Sequence, residues 1–136
     1  GPMDEYEKSV KRHCGRVGAI EVFLSGPGLE NYYEYKTKSK IPSREIVSLY
    51  QKKDSVAGEV MNVYFERIAR SFSSFVNILD PDIIVCGGGM SEIGGIYDEV
   101  PKRIIPYIAS NFFLTPIVKA AHGSSSGVRG AAHLWN

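Results

Sequence analysis

The stretch from Ser55 to Leu79 carries apolar residues at Val56, Val60, Val63, Tyr64, Ile68, Phe72, Phe75, Val76 and Leu79. Steps of three and four lay these residues along one broad stripe of a single long helix. At about 1.5 Å per residue the helix is about 36 Å long, and Pro81 stops it because the residue before a proline is pushed out of the helical region. Directly afterwards Ile83-Ile84-Val85-Cys86 is apolar without alternation, which suits a strand covered on both faces, and Gly87-Gly88-Gly89 closes it. A long core helix feeding a buried strand points to an α/β fold with a parallel sheet.

The flanking segments extend this pattern. A helix from about Gly95 to Ser110, with Pro101 near its first turns and Pro106 as a kink, leads to a second strand from Ile117 to Ala121. Upstream, Gly15, Gly18, Gly26 and Gly28 bracket the apolar stretch Ala19 to Leu24, which reads as turn, short helix, turn. Short helices are expected from Leu29 to about Lys36 and from Pro42-Ser43 through Ile46, Val47, Leu49 and Tyr50, with the basic run Lys36 to Lys40 as a solvated loop. The stretch from Ser126 or Gly127 to Trp135 reads as a closing helix packed by Val128, Ala131, Ala132 and Trp135. Two strands among four or five helices make a poor sheet, since a buried parallel strand needs neighbours on both edges. The chain is therefore expected to be part of a larger fold, with uncovered edge and apolar surface that favour a homo-oligomer.

Composition narrows the function classes. The 136 residues hold 16 Lys plus Arg against 15 Asp plus Glu, a net charge of +1 that offers no electrostatic footprint for nucleic acid or anionic lipid. No apolar run approaches bilayer length, and none resembles a signal peptide. Cys14 and Cys86 are the only cysteines, far apart and without a disulfide pattern, so a cytoplasmic protein is expected. Gly1-Pro2 reads as a scar of protease cleavage, leaving residues 3–136 for the fold.

Three constellations could carry chemistry. A strand ending in Gly87-Gly88-Gly89 lets a ligand lie against bare backbone and offers free amides to a phosphate or purine, although it would equally make a tight turn with no ligand. It does not fit the dinucleotide fingerprint, because Met90-Ser91-Glu92 follows where that pattern needs a glycine. Gly123-Ser124-Ser125-Ser126-Gly127 matches the G-x-S-x-G of a nucleophile elbow. No Asp or Glu follows Ser125, however, and only His133 does, so these serines read better as caps of the closing helix. Glu21, in Cys14-Gly15-Arg16-Val17-Gly18-Ala19-Ile20-Glu21, reads as a carboxylate in the first turn of a helix, either a surface glutamate or an acceptor for two adjacent hydroxyls of a sugar.

These stretches, together with Ser25-Gly26-Pro27-Gly28, Asn77 to Ser91 and His122 to Ala132, resemble in order the C-terminal part of the ROK family (repressors, open reading frames and kinases), with most likeness to its fructokinase or manno(fructo)kinase branch. The resemblance implies the C-terminal lobe of an actin-like, hexokinase-like fold in which ATP with Mg²⁺ and a hexose meet between two lobes. It implies that Glu21 binds sugar hydroxyls and that Gly87, Gly88 and Gly89 lie beside the adenosine. The family's catalytic aspartate, its phosphate loops and its Glu-x-Gly-His sugar motif have no counterpart here, so no catalytic base is expected in this chain and the chain alone is expected to be inactive. The family's C-x-C-G-x-x-G-C zinc pattern is also departed from: Arg12, Cys14 and Ala19 stand at its three cysteine positions and His13 at a spacer, so zinc is not expected. A sugar-sensing repressor or a non-catalytic member of the same family are the alternatives.

Overall fold

The computed structural model describes residues 18–121 and the backbone of Ala132–Leu134. The chain runs β1 (Ala19–Leu24), α1 (Pro27–Thr37), α2 (Ser43–Gln51), α3 (Ser55–Leu79), β2 (Ile83–Gly87), α4 (Gly94–Ile104), β3 (Ile117–Lys119) and β4 (Ala132–Leu134), with 3₁₀ turns at Gly89–Glu92 and Ile105–Tyr107. The strands form one sheet in the order β3-β2-β1-β4, and every pairing is parallel.

The long helix forms as its stripe requires. Asp54 caps it, accepting the amide of Ala57 at 2.9 Å, and Asp80 ends it in the left-handed region at φ 43°. Val60, Tyr64, Ile68 and Phe72 are buried as the periodicity predicts. The buried face is centred slightly to one side of the predicted stripe, adding Met61, Phe65 and Ala69, while Leu79 is exposed. The helix packs on α4, α2 and α1, and its inner face meets the sheet through Ile20, Val22, Leu24, Ile84 and Cys86.

Three expectations are corrected. Ala19 to Leu24 is a strand, not a short helix, with Ala19 to Phe23 paired in register to Ile83 to Gly87. Six residues between glycine turns are too short to gain much from helical hydrogen bonds, whereas as a strand they bury Ile20, Val22 and Leu24 on one face and pair with β2. The expected closing helix is contradicted at Ala132–Leu134, which extends alongside Val22 to Leu24 as β4; the rest of that stretch lies outside the described residues. The sheet thus has four strands rather than two.

The helix expected to reach Ser110 stops at Ile104. Pro101 sits in its second half rather than its first turns, where the missing N–H leaves the Tyr97 carbonyl without its helical donor, and Pro106 lies in the following 3₁₀ turn. Arg103 ties this helix to α3, with its guanidinium 2.6 Å from Asn62 Oδ1, 3.1 Å from Glu99 and 3.2 Å from Glu66. Bonding to Arg103 lowers the Glu99 pKa.

Candidate functional site

Parallel strands end together, and the turns that leave their C-terminal ends bound a crevice in which ligands of α/β proteins characteristically bind. In this sheet β1 leaves through Ser25-Gly26-Pro27 and β2 through Gly88-Gly89. Gly88 has φ +86°, and a β-carbon on it would lie 2.5 Å from the Leu24 carbonyl oxygen, so backbone conformation and space both demand glycine. A β-carbon on Gly89 would meet nothing within 4 Å. The fold itself does not require that second glycine.

The two turns and α2 enclose a cleft of about 790 Å³. Gly88, Gly89 and Met90 line one side, Leu24 to Pro27 another, and Arg44, Val47 and Gln51 a third. The last three fall at steps of three and four along one face of α2. Ser43 holds that helix in place: its amide and hydroxyl both donate to Glu30 Oε2, at 2.7 and 2.9 Å, and the hydroxyl also lies 3.3 Å from the Gly26 carbonyl. A β-carbon on Gly26 would come within 2.2 Å of that hydroxyl, so the first turn and α2 are closely fitted. Glu92, also lining the cleft, pairs with Lys119 of β3 at 2.9 Å.

Beneath the floor, chemistry is kept quiet by burial. Cys86 is a free, fully buried thiol whose pKa desolvation pushes up to about 12. Burial likewise raises the pKa values of Tyr64 and Tyr97, with Cys86 adding to both. None of these groups is prepared to act as a nucleophile at neutral pH.

The sequence-predicted residues fall in two places. Gly88 and Gly89 line the cleft, while Gly87 is buried in β2 opposite Phe23. Glu21 is not in the first turn of a helix; it sits on β1 opposite Val85, on the sheet face turned away from α3, and is only 7% exposed. It does not line the cleft, although Phe23, two residues further along the same face, does. Among the described residues its carboxylate has no hydrogen-bond or ion-pair partner. The elbow-like segment Gly123 to Gly127 lies outside the described residues, as do Arg12, His13 and Cys14; Ala19 opens β1. The α2 face of Arg44, Val47 and Gln51 is absent from the sequence-based candidates, although its spacing is visible once a helix is expected there.

The chain is similar to several known proteins. It is 40% identical over 121 residues to the N-acetyl-D-glucosamine kinase of Vibrio atlanticus, and 35% over 122 residues to that of Haemophilus influenzae, covering 89% and 90% of this chain. It spans about 40% of the length of these relatives. Among solved structures, the ROK hexokinase of Thermus thermophilus superposes with a TM-score of 0.63 at 22% identity, covering 74% of this chain and 34% of that one. A ROK family glucokinase from Streptomyces griseus, in complex with glucose and AMPPNP, gives the same score at 18% identity, covering 74% and 38%. The fold is accordingly a portion of the actin-like ATPase fold of ROK hexokinases. The ROK family model matches residues 2–136, and the chain belongs to the ROK family.

Proposed function

We propose that this chain is the nucleotide-holding portion of an ATP-dependent sugar kinase, and that the cleft at the ends of β1 and β2 takes the adenosine of ATP. The observation that carries this reading is the Gly88-Gly89 floor, where Gly88 is demanded by Leu24 and Gly89 leaves open space for a ligand against bare backbone. The volume suits a nucleoside, and the α2 face supplies an apolar side chain at Val47, an amide at Gln51 and a cation at Arg44. The AMPPNP bound to the Streptomyces griseus relative supports nucleotide as the ligand class.

Glu21 takes the sugar. A carboxylate this buried and without a protein partner among the described residues is well suited to accept hydroxyl hydrogens from a ligand. The Vibrio and Haemophilus relatives bear the name N-acetyl-D-glucosamine kinase, which supports an N-acetylhexosamine as substrate in place of the fructose that the sequence resemblance suggested. Among the described residues no group of three or more His, Cys, Asp or Glu gathers to hold a metal ion; the Mg²⁺ that accompanies ATP would be held chiefly by the phosphates and by water. The base that removes the sugar proton belongs, in this reading, to the length of the relatives that this chain does not span. A cytoplasmic site of action fits such a kinase.

The test is phosphoryl transfer by the full-length protein, with Mg·ATP and a panel of N-acetylglucosamine, glucose and fructose. N-acetylglucosamine is expected to give the highest kcat/KM. An absence of turnover with every sugar of the panel would overturn the kinase reading.

A further inference from the structure

We infer that Tyr97 is a positioning residue for the nucleotide, its hydroxyl fixing the turn that carries Gly88 and Gly89; the inference rests on the nucleotide reading of the cleft. The turn is held by a short chain of hydrogen bonds. The Gly88 carbonyl accepts both the amide of Ser91 at 3.1 Å and its hydroxyl at 2.6 Å. The Ser91 carbonyl in turn accepts the Tyr97 hydroxyl at 2.6 Å. Ser91 is a buried polar residue at 5% exposure, so each of these partners replaces water that it has lost.

Tyr97 can serve as an anchor because its own helix is fixed. It lies in the first turn of α4, between Ile96 and Val100, both fully buried. Gly95 brings that helix against Phe65 of α3, where a β-carbon would stand 2.9 Å from the ring. The hydroxyl therefore transmits the position of α4 to Ser91, and Ser91 transmits it to the Gly88 carbonyl. Gly88 in turn sits against Leu24, so the peptide between Gly88 and Gly89 is located by β1 on one side and by α4 on the other. Binding that depends on preorganised backbone loses affinity when the backbone is left free to move, even though no contact to the ligand is removed.

Tyr97→Phe keeps the ring and deletes only the donor. In the full-length protein its affinity for AMPPNP, read by titration calorimetry, should fall by about 3- to 10-fold, the usual range for one lost neutral hydrogen bond. The KM for ATP should rise in parallel, while the sugar KM stays within a factor of about two; the melting temperature should fall modestly, because the buried Ser91 carbonyl loses its donor. Ser91→Ala should act in the same direction, and Ser91→Thr, which keeps the hydroxyl, should restore nucleotide affinity. An unchanged AMPPNP affinity in Tyr97→Phe, or equal losses for nucleotide and sugar, would overturn the positioning role. Gly89→Val separates the two levels. If it abolishes AMPPNP binding while Tyr97→Phe does nothing, the cleft is the nucleotide site and the Tyr97 role is refuted; if it leaves binding intact, the nucleotide reading falls and this inference with it.

Discussion

A methyl group on Gly88 would stand 2.5 Å from the carbonyl oxygen of Leu24, while one on the neighbouring Gly89 would stand in open space. Two adjacent glycines therefore answer to different demands, one from the fold and one, if the cleft holds a nucleotide, from a ligand. Gly88→Ala should destabilise the protein by at least about 1–3 kcal/mol, the usual cost of a non-glycine residue held at positive φ, with the clash adding to it. Gly89→Ala should change stability by no more than about 0.5 kcal/mol. Denaturant unfolding of both variants checks this, and equal destabilisation would contradict it.

Cys86 should be inert in the folded state. Its pKa is pushed up from the ordinary 9 to about 12 by burial, so the thiol is neutral and shielded at neutral pH. A group with a raised folded pKa contributes stability that is complete below its unfolded pKa and is lost as pH rises. In a Cys14→Ser background, a thiol reagent at pH 8 should label nothing until denaturant is added, and stability should decline as pH climbs above about 9. Rapid labelling of the native protein would contradict the burial.

The purified protein should carry no stoichiometric zinc. Arg12 and Ala19 stand where the family pattern has cysteines, and one thiolate at Cys14 falls short of the four ligands of a structural site. Metal analysis that returned one zinc per chain would refute this.

We propose that the chain self-associates through the end of α3 and the segment before β3. Ile78 and Leu114 are 79% and 80% exposed. Asn77 bonds the Tyr107 carbonyl at 3.0 Å and Thr115 the Pro81 carbonyl at 3.4 Å, which ties the end of α3 to the 3₁₀ turn and the segment before β3 to the turn that follows α3; exposed apolar side chains on such fixed segments favour association. Light scattering at high micromolar concentration should show a dimer or larger species, and Ile78→Ser with Leu114→Ser should reduce it to monomer. A strictly monomeric chain at that concentration would contradict the proposal.

The long helix and the strand after it are legible in the sequence because their signals are local and redundant: twenty-five residues with one apolar stripe, a proline stop, then Ile83 to Cys86. The stretch Ala19 to Leu24 reads as a helix in isolation, although Ile20, Val22 and Leu24 alternate with Glu21 at the period of two. What fixes it as a strand is pairing with Ile83 to Gly87, about sixty residues away, which no local window contains. The same holds for Ala132–Leu134, whose register against Val22 to Leu24 is more remote still in the chain. At the site, Gly88 and Gly89 stand out as a motif, but the α2 wall depends on Ser43 meeting Glu30 and Gly26 across the turn, a tertiary fit invisible in sequence. Placing Glu21 in a strand also changes how it would work, through burial beside Val85 instead of through a helix dipole.

The proposed kinase divides its labour between the buried carboxylate of Glu21 and the open backbone at Gly89. Steady-state kinetics of the full-length protein with Glu21→Ala and Gly89→Val tests this most directly. Glu21→Ala should raise the KM for N-acetylglucosamine by at least about tenfold with little change for ATP, since a lost acceptor leaves sugar hydroxyls unpaired. Gly89→Val should do the reverse. Equal effects of either variant on both substrates, or an unaltered KM for both, would contradict the division.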